Sequence, residues 1–160
     1  MNVAVMVISS KIIDRVSSDT VREGLTRFLD EQALRLVAYD VVRDDRDDIR
    51  EGLIRLSDTV APQVILTVGG TGVRPTDWCP EATGDVIDKE IPGVGEAMRS
   101  ESLKKVQTAM LSRGIAGIRG ATLIVNLPGS PKGARENLAV ILPILEHTVQ
   151  KISRTSNVVV

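Results

Sequence analysis

A chain of 160 residues with 42% hydrophobic and 26% charged side chains can bury one full core, and it reads as a single domain over residues 1–160. A formal net charge of −1 and an aromatic share of 2% (Phe28, Tyr39 and Trp78) provide neither a basic field nor a base-stacking platform, which argues against nucleic acid as a partner. One cysteine and one histidine exclude an internal disulfide, a CxxC metal knuckle and a His-rich zinc site. No apolar run nears membrane-spanning length and the start "MNVAVMVISSK" lacks a signal-peptide pattern, so a cytoplasmic protein with no membrane partner is expected.

"NVAVMVIS" (residues 2–9) is short, valine-rich and apolar, and predicts a buried strand. A helix is expected from about Ser18, with Val21, Leu25, Phe28 and Leu29 on one face. "LRLVAYDVV" predicts a second strand. "DDRDDIREGLIRLSDTV" predicts a second helix burying Ile49, Leu53, Leu56 and Val60, with Asp45, Asp47 and Asp48 as its cap and acidic first turn. "QVILTV" predicts the third strand. A helix then starts near Pro80 and runs through "PEATGDVIDKE", and another spans "PGVGEAMRSESLKKV". Two strand-like runs flank Arg119-Gly120 as a hairpin. The last helix opens with Ser130 as N-cap and Pro131 at its first position. It buries Leu138, Ile141, Leu142, Leu145, Val149 and Ile152, and Pro143 is expected to kink it. Strand and helix alternate through most of the chain, which predicts an α/β fold: a mostly parallel sheet with helices on both faces. The apolar ending "NVVV" either frays or packs on a neighbour.

Ligands in such folds bind beyond the carboxyl ends of the strands. Three segments leave those ends: "VVRDD", "TVGGTG" and "VNLPGSPK". Gly69, Gly70 and Gly72 lack the Cβ atoms that block close backbone approach, and Thr71 adds a hydroxyl. "PGSPK" opens a helix whose N-terminus favours an anion, with Lys132 adding charge. The plain alternatives are a tight turn and ordinary capping. Two anion-cradling turns beside Asp44 and Asp77 would repel those carboxylates unless a cation intervened. Mg²⁺ suits that role, because it binds through one or two carboxylates plus substrate phosphates. Against this, Asp77 reads equally as a cap for the helix at Pro80 or as a bond within its own loop. Trp78 is expected to cover its loop or a neighbouring subunit. Cys79 has no base nearby in sequence, with His147 far along the last helix.

The blocks "VVRDD", "LTVGGTG", "TDWCPEAT", "IPGVGEAMRSESL", "MLSRGIAGIRGATLIVNLPGSPKGA" and "ILPILEHTVQKI" stand in order and cover most of the chain from about residue 40. Together they resemble the MogA/MoaB family of molybdenum-cofactor biosynthesis proteins, whose domain also occurs in gephyrin. The resemblance implies a three-layer α/β sandwich, usually assembled as a homotrimer or homohexamer. It implies a molybdopterin adenylyltransferase that uses Mg²⁺ and ATP, releases pyrophosphate and hands its product on for molybdate or tungstate insertion. A non-catalytic molybdopterin-binding or scaffold member is the alternative. The family's two aspartates fall on Asp44 and Asp77, catalytic and holding Mg²⁺ directly or through water. Its phosphate turn falls on Gly69, Gly70, Thr71 and Gly72, its substrate-binding positions on Ser102, Ser112 and Asn126, and its second anion turn on Gly129, Ser130 and Lys132. The chain departs from the family at Thr76-Asp77-Trp78-Cys79, where Arg-Asp-Val-Thr is usual, and at Ser9-Ser10-Lys11, where Ser-Asp is usual. Arg74 is a candidate to replace the lost charge.

Overall fold

The valine-rich run at the N-terminus lies second from one edge of a six-stranded sheet of order β2-β1-β3-β6-β5-β4. The computed structural model describes residues 1–154, so the "NVVV" ending lies outside the described residues. The strands are β1 Asn2–Ile8, β2 Arg35–Val42, β3 Val64–Val68, β4 Lys89–Glu90, β5 Ala116–Arg119 and β6 Thr122–Leu127. β2, β1, β3 and β6 are mutually parallel, while β5 and β4 add antiparallel at one edge. The helices are α1 Ser10–Ile13, α2 Arg22–Glu31, α3 Arg46–Arg55, α4 Cys79–Val86, α5 Pro92–Leu103 and α6 Pro131–Arg154.

The period-2 alternation of the strands builds two cores. Val3, Val5 and Val7 of β1, with Leu66 and Val125, face α2, α5 and α6 through Leu25, Leu29, Val94, Met98, Leu138 and Ile141. Ala4, Met6 and Ile8 point the other way, with Ile65 and Ile124, against Ile49 and Leu53 of α3 and Ala82 and Val86 of α4. That is the expected three-layer arrangement. From β1 the chain goes to β2 on one side and then returns to β3 on the other. The order therefore reverses between β1 and β3, and a crevice opens beyond their carboxyl ends.

Local chemistry explains where elements begin and end. The Asp45 carboxylate accepts from the N–H groups of Asp47 and Asp48, which starts α3 at Arg46. Asp19 accepts from the N–H groups of Val21 and Arg22, so α2 begins later than Ser18. Ser9 caps the one-turn α1, which the sequence did not announce. The end of the second helix differs from expectation: residues Leu56–Val60 form a π turn closed by Ala61 in the left-handed region (φ 49°). The wider winding swings Val60 out of the core to 37% exposure. The helix expected to reach Glu90 stops at Val86, and Lys89–Glu90 instead pair with Ile118 and Gly117 as the edge strand β4. Gly117 permits that approach, since a Cβ there would lie 2.7 Å from the Lys89 carbonyl oxygen. Ser130 caps α6 through the Gly133 N–H at 3.0 Å, with Pro131 first in the helix as expected. α6 continues past Pro143, and the carbonyl that loses its donor belongs to exposed Ala139.

Candidate active site

The two glycine-bearing turns pack directly on each other. Gly69 (φ +103°) and Gly70 (φ +66°) leave β3 in conformations that side chains disfavour. A Cβ on Gly69 would lie 2.9 Å from the Ile8 carbonyl oxygen, and a Cβ on Gly129 would lie 3.3 Å from Gly69 Cα. The Gly69 N–H donates to Leu127 O at 3.1 Å. The loop after β3 and the turn after β6 are thus held together at the reversal between β1 and β3. They line a cavity of about 780 Å³ with Asp44, Asp77, Ser10, Lys11 and Arg74.

Both aspartates reach this cavity by different routes. Asp44 and Ser10 bond reciprocally: Asp44 Oδ2 accepts the Ser10 N–H at 2.8 Å, and the Asp44 N–H donates to Ser10 Oγ at 2.9 Å. Asp77 is only 5% exposed. Its Oδ2 accepts the Arg74 N–H at 2.9 Å and lies 3.6 Å from Arg74 Nε. Its Oδ1 is buried with no partner. The helix-cap reading of Asp77 fails, because Trp78 is the N-cap of α4 and no side-chain cap bond is made there. The loop bond exists but uses one oxygen. A buried carboxylate oxygen without a donor is costly, and a cation in the cavity would relieve it. Among the described residues no three metal-ligating side chains converge. A metal held by two carboxylates takes its remaining ligands from phosphate and water, which is the habit of Mg²⁺. The residues therefore fit that ion.

A second cavity of about 270 Å³ lies between α5, the 3₁₀ turn Gln107–Leu111 and the start of α6. Ser102 and Ser112 line it, and Ser130 lines both cavities. Ser102 Oγ accepts from Asn137 Nδ2 at 3.2 Å, and Asn137 also donates to Gly133 O at 2.9 Å. Asn137 was missed in the sequence; its signal was a polar residue on the apolar stripe of the last helix.

Two residues expected to bind substrate stand elsewhere. Asn126 is 1% exposed and its amide is fully engaged. Nδ2 donates to Thr67 Oγ1 at 3.0 Å and Thr83 Oγ1 at 2.9 Å, while Oδ1 accepts the Ile115 N–H at 3.1 Å. It ties β6 to β3 and α4 behind the cavity. Lys132 lines neither cavity; it points to solvent, 4.0 Å from Glu136. Lys11 and Arg74 are the cationic side chains that line the larger cavity instead.

Trp78 lies outside both linings, half-exposed, with the Arg46 guanidinium 5.9 Å from its ring and that guanidinium paired with Asp85. It covers its own loop and α3. Cys79 is fully buried, with Sγ 3.2 Å from Thr67 Oγ1, and burial pushes its thiol up to about 12. A thiolate nucleophile is thereby ruled out. A thiol-specific reagent is expected to leave the native protein unlabelled and to modify one cysteine per chain after unfolding; rapid native labelling would contradict this placement.

Arg113 was also missed. Its Nε donates to Gly72 O at 2.7 Å, its Nη2 to Asp77 O at 2.8 Å, and its guanidinium pairs with Glu81 on α4. Its own N–H donates to Thr71 O at 2.8 Å. Partial burial raises the Glu81 carboxyl, but the Arg113 hydrogen bond, the Glu81 backbone bond and the charges of Arg113 and Arg46 outweigh it. The result lies below the ordinary glutamate value.

Residues 4–147 match the family described as a probable molybdopterin binding domain. The chain is 42% identical over 144 residues to the molybdopterin adenylyltransferase of Helicobacter pylori, covering 90% of this chain and 81% of that one. It is 44% identical over 116 residues to the molybdenum cofactor synthesis protein cinnamon of Drosophila melanogaster, covering 72% of this chain and 19% of that much longer one. Among solved structures, the molybdopterin biosynthesis enzyme MoaB of Thermus thermophilus superposes with a TM-score of 0.89 at 41% identity, covering 95% and 96% of the two chains.

Proposed function

The chain belongs to the molybdopterin-binding domain family, and from that premise we propose that it transfers AMP from ATP to the terminal phosphate of molybdopterin, releasing pyrophosphate. It is a molybdopterin adenylyltransferase, a nucleotidyltransferase of molybdenum cofactor biosynthesis. The observation that carries the site assignment is the partnerless Asp77 Oδ1, buried beside two anion-cradling turns in one cavity.

A phosphate monoester has a second pKa of about 6 and is mostly dianionic near neutrality, so the attacking oxygen needs no strong base. That oxygen bonds to the α-phosphorus of ATP, the bond to the β-phosphate oxygen breaks, and its electron pair leaves with pyrophosphate. The barrier is charge and alignment, and the chain supplies both. Backbone N–H groups of Gly70 to Gly72 offer one anion cradle, with the Gly69 N–H spent on Leu127 O, and the N-terminus of α6 at Ser130 offers another. Lys11 and Arg74 add positive charge along the same cavity. Asp44 and Asp77 would hold a Mg²⁺ ion, directly or through water, whose charge lets two polyanions approach. Ser102 and Ser112 line the smaller cavity that opens off Ser130, which suits the pterin.

A homotrimer or homohexamer, a cytoplasmic setting and hand-off to a metal-insertion protein go with this reading. Family membership supports them, and the exposed Val106, Met110 and Leu111 favour assembly. No described helix is long and apolar enough to cross a membrane. The test is product identity. Protein mixed with Mg-ATP and molybdopterin is expected to give adenylylated molybdopterin and an equal amount of pyrophosphate. Unchanged substrates would leave a binding or scaffold protein, and pyrophosphate without the adenylylated pterin would mean another phosphoester enzyme.

A further inference from the structure

One short segment touches both cavities. Leu111, the last residue of the 3₁₀ turn, lines the larger cavity; Ser112 lines the smaller one; Arg113 holds the loop that carries Asp77. These three residues are consecutive and extended at Ser112 (φ −67°, ψ 126°), so displacement at one is transmitted to the next. The loop from Gly72 to Asp77 has few anchors of its own. Within it, Asp77 N–H bonds Arg74 O at 2.9 Å and Arg74 N–H bonds Asp77 Oδ2 at 2.9 Å. Both bonds move with the loop and do not fix it to the sheet. The guanidinium fixes it, by bonding the carbonyls at its two ends, Gly72 and Asp77, while Glu81 orients the fork from α4. A planar fork with five donors reaches three acceptors spread around it through separate nitrogens, whereas the single nitrogen of a lysine ammonium cannot span them.

We propose that Arg113 is a positioning residue that couples the two cavities: a ligand settling against Ser112 sets the Gly72–Asp77 loop, and the nucleotide side tightens in response. This rests on the reading that the cavities take nucleotide and pterin. Coupling of this kind is reciprocal, so each ligand raises the other's affinity by the same factor. Catalysis then begins only when both substrates are seated, which limits wasteful hydrolysis of ATP.

The experiment measures the Kd of a non-hydrolysable ATP analogue with Mg²⁺, with and without saturating molybdopterin. Wild type is expected to bind the analogue about fivefold or more tightly when molybdopterin is present. Arg113→Lys keeps the charge and loses the fork, so the ratio is expected to fall to within about twofold of 1 while molybdopterin still binds. Glu81→Gln leaves Arg113 in place but removes its orienting charge, and is expected to give an intermediate ratio. Should Arg113→Lys fail to fold, Glu81→Gln carries the test. A ratio of 1 in wild type, with both ligands bound, overturns the coupling and spares the function. A wild-type ratio kept intact in a folded Arg113→Lys, or in Glu81→Gln where that variant must serve alone, overturns it as well. Failure of wild type to bind either ligand overturns both.

Discussion

Asp77→Asn is expected to lower AMP transfer by at least about 100-fold while the protein stays folded. The amide keeps the shape of the carboxylate and can still accept the Arg74 N–H that Oδ2 accepts at 2.9 Å. What disappears is the negative charge beside the glycine turn, at an oxygen that has no protein partner and so is free for a cation. The same substitution removes a costly feature of the ligand-free protein, a buried carboxylate with one oxygen that no protein group satisfies. Its thermal midpoint is therefore expected to equal or exceed that of wild type in the absence of ligands. Added Mg²⁺ with an ATP analogue should stabilise wild type and not the variant. Steady-state AMP transfer and thermal melts check both halves. Wild-type turnover in the variant would remove the metal role from Asp77, and a lost fold would show that its carboxylate is structural.

Gly69→Ala is expected to damage fold and activity together. Its φ of +103° costs a side chain about 1–3 kcal/mol, and the new Cβ would sit 2.9 Å from the backbone carbonyl oxygen of Ile8, which cannot move without shifting β1. A total near 3 kcal/mol corresponds to a melting point lower by about 6–12 °C for a chain of this size. Activity should drop further than stability explains, because Gly129 of the second anion turn rests on Gly69 Cα and both cradles would be displaced. Gly84→Ala is the matched control: it lies on the exposed face of α4 with nothing within 4 Å of its Cβ, so helix propensity favours the alanine and activity should not change. Equal melting points for Gly69→Ala and wild type would show that the turn tolerates a side chain.

The elements that read correctly from the sequence are those set by local rules. β1, β3 and β6 are short apolar runs with no competing helical period, and Asp45, Ser130 and Pro131 carry their capping chemistry within a few residues. The two glycine turns and both aspartates were singled out because strand ends in this architecture collect ligands, and Ser102 and Ser112 because several blocks resembled one family; all of them line one of the two cavities. What the sequence hid depends on distant partners. Arg113 acts on Gly72, 41 residues away, and on Glu81, 32 away. Asn126 looked like a ligand-facing amide at a strand end, yet the Thr67 and Thr83 hydroxyls, 59 and 43 residues away, take both its donor bonds. β4 is a two-residue edge strand that exists only because Gly117 lets Lys89 approach, and no periodicity shows in so short a run. The π turn at Leu56–Val60 is likewise invisible to a 3.6-residue pattern. Trp78-Cys79, where the chain departs from the family pattern, lies outside both linings.

The central claim is that Asp44 and Asp77, brought from two strand ends to one cavity, act as a single unit on the nucleotide phosphates. The most direct measurement is kcat/KM for ATP in Asp44→Asn, in Asp77→Asn and in the double variant. Residues that hold one ion fail together, so the double variant is predicted to be little worse than the more damaging single one. Losses that multiply would mean two independent roles and would contradict a shared site.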